Sequence, residues 1–246
     1  MKSMWRGRTR GGVRPSLSPR AALAAVVLTT FAGSGAARAE EPATWHAEAL
    51  TSSPRGVQVT QYWSKGSDRL RAETVVAGHR LVSVVNGDLY YAIDVTSGLA
   101  IAVKRSPRAI EEGKKRSRLV GLEAFVIRER GGEKVKSEPL AGQMCDVYRL
   151  TDSRGRRAVW VQQERGGKTG EMLPLRVEVY NRQAGAEIRT DYVQWASGIE
   201  LPDRLFLPDP RFSLEEFDYE EYVDRTHSKD PPRVPVLHSN LLHGEK

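Results

Sequence analysis

The chain of 246 residues contains a single cysteine, Cys145. One cysteine cannot form an intrachain disulfide, so the fold must be held together by a hydrophobic core. Cys145 alternates with apolar neighbours, which predicts a small, half-buried strand residue. Long apolar runs are also missing: beyond residues 1–39, no stretch approaches the roughly 20 residues that a membrane-spanning helix needs.

Sequence motifs that carry chemistry are absent as well. The five histidines show no zinc-ligand spacing, and the chain has neither a G-x-S-x-G elbow nor an H-E-x-x-H pair. Carboxylates are abundant, but none forms a pair that stands out for acid–base work. The sequence therefore predicts a protein without catalytic residues, cofactor or metal.

Acidic side chains are missing from the first 39 positions, which hold seven basic ones. This segment accounts for the whole formal net charge of +7, because the remaining bases and the 31 acids are equal in number. Because the rest of the chain, from residue 40 onward, has no net charge, nucleic acid is not the expected partner.

Residues 1–39 have the three parts of a secretory signal peptide. A basic region ends at Arg20, the apolar run Ala21 to Ala32 follows, and Ala37-Arg38-Ala39 offers a small-x-small cleavage site. No cysteine lies near that site. We therefore expect a periplasmic protein, exported through a cleaved signal peptide and not lipid-anchored.

The following domain, residues 40–224, is patterned like an antiparallel all-β protein. Apolar and polar residues alternate with period two, which predicts roughly ten strands with one buried face each. Turn residues such as Asn86-Gly87 separate the strands, so consecutive strands should pair. The clearest runs are residues 57–63, 69–76, 89–95, 99–103, 144–150, 158–162, 173–180 and 186–195.

Helical signals are few. Ser106-Pro107 supplies an N-cap and a proline at the first helical position, which predicts a helix over residues 107–116. Ser213 to Glu216 fits a capping box that opens a second short helix, although the aromatic residues that follow also fit a strand. Adjacent prolines and scattered polar residues predict a flexible tail over residues 225–246.

Two charge clusters are prominent. Residues 104–118 carry seven bases against Glu111 and Glu112, and residues 212–224 carry six acids and no base. The simplest interpretation is two solvated faces. The alternatives are a transient membrane-surface contact of Lys104–Arg118 with anionic head groups, or attraction between the two clusters within the fold.

Several motifs resemble those of one family when they are taken in order. Arg69-Leu70-Arg71-Ala-Glu73 is followed by Asn86-Gly87-Asp-Leu-Tyr90-Tyr91-Ala-Ile-Asp94, and later by Gly142 to Tyr148 and Ile199 to Phe206. Their order and spacing are similar to those of periplasmic lipoprotein-carrier (LolA-like) proteins and their outer-membrane lipoprotein-sorting relatives. The likeness covers most of the chain after the signal peptide.

The resemblance implies a mainly β fold: an antiparallel sheet rolled into an incomplete (half) barrel, with one or two short helices across the concave face. In the carriers, an apolar cavity between sheet and helices receives acyl chains, and an arginine in an early strand helps to hold the lid. Arg71 occupies the most similar position. By alternation, however, Arg71 faces away from Leu70 and Ala72.

We expect large side chains of the sheet and helices to line this cavity, where an acyl chain gains about 0.8 kcal/mol per buried CH₂. The alternative is that the same side chains pack an ordinary core. The predicted ligand-binding residues are Trp63, Arg71, Leu89, Tyr91, Ile93, Ile101, Phe125, Trp160, Leu175, Val177 and Trp195.

The leading hypothesis is a periplasmic, non-catalytic binding protein for a lipid or lipoprotein acyl chain, related to outer-membrane lipoprotein sorting. The alternative is a scaffold or sensor with a packed half-barrel, whose acidic aromatic segment (Phe217, Tyr219, Tyr222) docks a partner. An unrecognised hydrolase ranks last.

Overall fold

The computed structural model describes residues 43–163 and 172–244, and the predicted signal peptide lies outside the described residues. The described chain forms strands, four short α-helices and a 3₁₀ turn at Asp203–Phe206. The helices are α1 (Pro107–Lys114), α2 (Glu123–Glu129), α3 (Tyr219–Thr226) and α4 (Asn240–His243). The strands are β1 (Thr44–Ser53), β2 (Gly56–Lys65), β3 (Arg69–Val76), β4 (His79–Asn86), β5 (Leu89–Asp94), β6 (Leu99–Lys104), β7 (Glu133–Leu140), β8 (Gln143–Asp152), β9 (Gly155–Gln162), β10 (Pro174–Asn181), β11 (Ala186–Ser197) and β12 (Ser213–Phe217).

All of these strands belong to one open sheet with the order β12-β6-β5-β4-β3-β2-β1-β11-β10-β9-β8-β7. Neighbours are antiparallel, except that β12 runs parallel to β6 at one edge. The sheet is not closed into a barrel, which confirms the predicted mainly β, half-barrel fold class. The tight turn at Gly87, which has a φ of 63°, joins β4 to β5 as the sequence predicts.

Four strands were not among the clear sequence runs: β1, β4, β7 and β12. The reason is plainest for β4, where residues 81–85 are all buried. A strand covered on both faces reads as a continuous apolar run and shows no alternation. Burial alone does not decide which strands the sequence reveals, because β5 and β6 are buried to a similar degree and were predicted.

One side of the sheet, named here the helix face, carries the larger core. It is covered by the four α-helices and by residues 231–244. Leu70, Tyr90 and Val159 from the sheet pack there with Ile127 of α2 and Leu242 of α4.

The other side, named here the cleft face, is covered over β3 to β6 by residues 199–212. Leu201 and Phe206 from this segment pack on Val84, Tyr91 and Ile93. The central strands are thus buried on both faces.

The predicted helix at 107–116 forms as α1, and the Ser106 hydroxyl accepts a hydrogen bond from the Ala109 amide at 3.1 Å. The second predicted helix begins later than its capping-box pattern indicates. Ser213–Phe217 is strand β12, and the helix α3 follows it at Tyr219. Both alternatives left open by the sequence are therefore present, one after the other.

Residues 231–244, within the segment that the sequence predicts as a flexible tail, pack on the helix face. Val234, Leu241 and Leu242 are buried in the core. The Tyr90 hydroxyl donates a hydrogen bond to the Leu237 carbonyl, and the Arg105 Nε donates one to the Leu241 carbonyl at 2.8 Å. Prolines and polar residues dominate this segment, so its few apolar anchors are not visible as a pattern.

Within the part of the chain that the structure describes, no helix combines the length and apolar character required to cross a bilayer.

Candidate functional site

The structure divides the eleven predicted ligand-binding residues between the two faces of the sheet. Ile101, Val177 and Trp195 belong to the helix-face core, and Phe125 of α2 lies beside the same core. Alternation shows which residues of one strand share a face but not which residues of another strand lie on that face, so the predicted residues do not form a single surface. The cleft-face residues are Trp63, Arg71, Leu89, Tyr91, Ile93, Trp160 and Leu175.

On the helix face, a buried cation occupies the space between the aromatic side chains. Arg118 is fully buried, and its guanidinium carbon lies 5.1 Å from the Trp45 ring centroid and 5.7 Å from that of Trp195. Its Nε donates a hydrogen bond to the Val120 carbonyl at 2.9 Å. Such a stack is a cation–π arrangement, which is strongest where water is excluded.

The loop that carries Arg118 is closely fitted to the sheet. The Leu119 amide donates to the Ser64 hydroxyl at 3.1 Å. Gly121 has a φ of 64°, and a Cβ at this position would lie 2.5 Å from the Trp195 ring. Only glycine combines this conformation with so close an approach. The loop is therefore fixed against Trp195 and does not leave room above it.

Polar contacts continue this packing. The Tyr192 hydroxyl donates to the Glu123 carboxylate at 2.8 Å, and burial followed by the Glu123 charge raises the pKa of Tyr192. Between α1, α2 and α4, a gap lined by Ala109, Leu122 and Leu241 has a volume of about 20 Å³. That space holds about one water molecule. Around Arg118 and beneath α1 and α2, the helix face is thus a filled core. At the β12 edge of the same face, a pocket of about 380 Å³ lies between Ile101, Leu214 and Val234.

The cleft face has the larger opening: an open cleft of about 870 Å³ between the sheet and residues 204–212. Ligand pockets for small molecules commonly have volumes of about 300–1,000 Å³. The apolar side chains of the cleft floor are Ile93 of β5 and Val95 just after it, and those of the outer wall are Leu207 and Phe212. Leu207 is 47% exposed, so the wall presents apolar surface to solvent.

Four arginines also line the cleft: Arg71, Arg80, Arg204 and Arg211. Arg71 projects from β3 to the side opposite Leu70 and Ala72, which are buried toward the helices, as its alternation predicts. Its Nη1 donates a hydrogen bond to the Leu205 carbonyl at 3.1 Å. Arg71 therefore ties the segment that forms the cleft wall to the sheet.

The guanidinium groups of Arg71 and Arg80 share one carboxylate, that of Glu73. Arg71 Nε lies 2.6 Å from one Glu73 oxygen, and Arg80 Nη2 lies 2.6 Å from the other. Partial burial alone would raise the pKa of Glu73, but the hydrogen bonds from Arg80 and Arg71 lower it below its usual value. Glu73 stays ionised and holds both arginines in place.

The wall segment contributes the other two arginines. Arg211 makes a two-point contact with Asp209, and these hydrogen bonds lower the pKa of Asp209 to about 2. Arg204 is exposed and makes no ion pair with any residue that the structure describes. Two predicted residues, Arg71 and Ile93, thus line the cleft together with residues that sequence reasoning missed.

The missed residues are Arg80, Val95, Arg204, Leu207, Phe212 and Arg211. Most of them belong to the irregular stretch from Arg204 to Phe212, which no alternation or helical period marks. Its sequence signal was only the likeness of Ile199 to Phe206 to the lipoprotein carriers. No local pattern reveals which face of a sheet such a segment crosses.

The basic cluster at residues 104–118 is largely neutralised within the fold. Arg105 and Arg118 are buried, and Lys104 pairs with Asp218 of the acidic segment at 2.7 Å. This contact fits the alternative in which the two clusters attract each other. Lys115 is the one base of the cluster with neither burial nor an ion pair to a described residue. The other pairs are Arg108–Glu112, Lys114–Glu111 and Arg116–Glu129.

The aromatic side chains of the acidic segment, residues 212–224, also make contacts within the chain. Phe217 and Tyr222 are buried in the helix-face core, and the Tyr219 hydroxyl lies 3.0 Å from Nδ1 of His243. These three side chains serve packing within the chain. They do not form an exposed surface for a partner, as the scaffold alternative requires.

No family model matches the sequence, and no curated protein matches it closely enough to count. The fold does match solved structures. An uncharacterized conserved protein from Thermus thermophilus has a TM-score of 0.51 and 7% identity, over 71% of this chain and 90% of that one. At this identity, the likeness shows a common fold and no more.

Weaker likenesses include MucB in complex with MucA(peri), with a TM-score of 0.40 and 13% identity over 69% of this chain and 56% of that one. A LolA superfamily protein from Nitrosomonas europaea has a TM-score of 0.34 and 14% identity over 69% of this chain and 91% of that one. Their scores carry no argument about function.

Proposed function

We propose that this chain is a periplasmic, non-catalytic binding protein that holds the acyl chain of a lipid or lipoprotein in the cleft between β5 and residues 204–212. The observation that carries the proposal is the cleft itself. It combines a volume of about 870 Å³ with apolar side chains on its floor, Ile93 and Val95, and on its outer wall, Leu207 and Phe212.

Its physical basis is the exposed apolar surface of the wall. Leu207 is 47% exposed, and it faces the same space as Ile93 and Val95. An acyl chain between wall and floor removes this surface from water and gains about 0.8 kcal/mol for each buried CH₂. The gap of about 20 Å³ beneath α1, α2 and α4 is too small for an acyl chain, and the cleft is larger than the pocket of about 380 Å³ beside β12; both comparisons support this location.

The wall is held at both ends and exposed between them. At its far end, Phe212 packs on the cleft-face core, and the Ser213 amide donates a hydrogen bond to the Gly98 carbonyl at 2.9 Å. Arg71 ties Leu205 to β3, and Lys65 pairs with Asp203 at 2.8 Å. Residues 207–211, which follow these ties, are mostly exposed. This arrangement supports reversible entry of a flexible chain without separation of the sheet, as carriage and release require. A role in outer-membrane lipoprotein sorting is the specific form of the proposal.

A direct test measures binding of a fluorescent long-chain fatty acid to the purified protein by titration. We expect saturable binding, weakened about tenfold or more by Leu207→Asp, because a charge on the wall opposes burial of the chain. The matched control is Val193→Asp, which changes an exposed valine outside the cleft. Absence of saturable binding, or equal weakening by both variants, would contradict the proposal.

A further inference from the structure

The cleft carries more positive charge than its own acids neutralise. Arg71 and Arg80 share the single carboxylate of Glu73, and Arg211 is neutralised by Asp209. Arg204 has no ion pair with a described residue, so the lining and its contacts retain a formal charge of about +2. The excess lies beside apolar side chains of the cleft, and Arg204 itself is exposed, so salt should weaken its attraction for an anion.

The surrounding residues of the same face do not cancel this excess. Asp203, next to Arg204, already contacts both Lys65 and Arg69. Glu216 lies on the cleft face because it pairs with Ala102 on β6. Leu99 and Gly98 mark the cleft end of that strand, so Glu216 is about 10 Å away from the cleft along β6.

We propose that the cleft selects an anionic amphiphile: an acyl chain that carries a carboxylate or phosphate head group, bound beside Arg204 and the Arg71–Arg80 pair. This proposal rests on the proposed function and adds the chemistry of the head group. Guanidinium groups match both anions because their planar N–H donors bind two oxygens at once. Arg204 is the residue whose charge the fold leaves available.

The apolar floor explains why the ligand is amphipathic and not a free anion. A site for inorganic phosphate needs hydrogen-bond donors on several sides. Ile93, Val95 and Phe212 cannot supply them, because their side chains are apolar. Here the arginines and the apolar side chains line one continuous space. A head group with an attached chain uses both sets of side chains.

The test compares laurate, 1-dodecanol and inorganic phosphate for displacement of the fluorescent fatty acid from the purified protein. Laurate and dodecanol share a chain length and differ in charge. We expect laurate to displace the probe about five- to tenfold more effectively, with the advantage shrinking as salt increases. Phosphate alone should not displace the probe at comparable concentrations.

Variants assign the difference to one residue. Arg204→Gln should reduce the laurate advantage about fivefold and leave dodecanol unchanged. The matched control is Lys115→Gln, since Lys115 is likewise exposed without an ion pair to a described residue but lies in the loop after α1. Lys115→Gln should change the displacement of the probe by neither laurate nor dodecanol.

The outcomes separate the two proposals. Equal displacement by laurate and dodecanol overturns the head-group inference and leaves acyl-chain binding standing. If phosphate binds directly in a way that depends on Arg204 and laurate does not bind, the inference of an amphipathic ligand is overturned, and the proposed function with it. Equal effects of Arg204→Gln and Lys115→Gln would show a response to net charge and overturn the assignment to the cleft.

Discussion

Each face of the sheet carries an arginine beside apolar or aromatic side chains, but one arginine is buried and the other is exposed. On the helix face, Arg118 is buried among tryptophans and bound to backbone carbonyls, so its charge is used to close a core. On the cleft face, Arg204 is exposed beside apolar side chains and has no ion pair with a described residue. The helix-face charge therefore stabilises the core, whereas the cleft-face charge is exposed where the proposed ligand would bind.

The largest expected effect is on Arg118. Arg118→Ala removes the cation from its aromatic surroundings and leaves the Val120 and Met172 carbonyls without its donors. We expect the free energy of unfolding to fall by about 4 kcal/mol, measured by urea denaturation. Arg204→Ala, the matched change on the cleft face, should cost less than about 0.5 kcal/mol. A similar decrease in the free energy of unfolding for both variants would contradict the proposed difference between the two faces.

A second pair of substitutions compares leucines. Leu242 of α4 is fully buried, and Leu242→Ala should lower the free energy of unfolding by about 3 kcal/mol. Leu207→Ala, at the exposed cleft wall, should change it by less than about 0.5 kcal/mol. Thermal unfolding followed by circular dichroism measures both. A negligible effect of Leu242→Ala would mean that residues 231–244 do not belong to the core.

A third expected effect, confined to acidic pH, is a pH dependence that belongs to the helix face. Burial lowers the pKa of His238 from 6.5 to about 4, and its ring packs on Tyr62. Between these pH values the unfolded chain binds more protons, so stability is present above pH 6.5 and decreases as the pH falls toward 4. His238→Asn should flatten this part of the profile in urea titrations at several pH values. Asparagine suits the site because His238 has a φ of 51°.

An unchanged slope in His238→Asn would assign the pH dependence to other groups. Glu73 on the cleft face is the natural second contributor, since its lowered pKa also makes stability decrease as the pH falls. Its contribution lies at lower pH, near and below the usual carboxyl range.

The sequence predicted the sheet better than it predicted the site. Alternation marks strands with one wet face, and it correctly turned Arg71 away from Leu70 and Ala72. It also grouped Leu89, Tyr91 and Ile93 on one face of β5, as the structure does. It did not show which residues of a neighbouring strand share that face: Ile101 of β6 packs on the helix face.

The path of the chain across a face was beyond sequence reasoning for a different reason. Residues 199–212 and 231–244 are irregular, and each is fixed by a few long-range contacts such as Arg71 to Leu205 and Tyr90 to Leu237. These contacts have no local period. The cleft and the filled helix face both depend on them, so the location of the site required the structure.

The central claim, that an acyl chain binds on the cleft face, is tested most directly by tryptophan quenching with a brominated fatty acid. Trp63 lies beside Arg71 in the sheet, on the cleft face, whereas Trp195 belongs to the helix face. We predict that the brominated ligand quenches the native protein, that Trp63→Phe removes most of the quenching, and that Trp195→Phe preserves it. Quenching that survives Trp63→Phe and disappears in Trp195→Phe would place the chain beneath the helices and contradict the account.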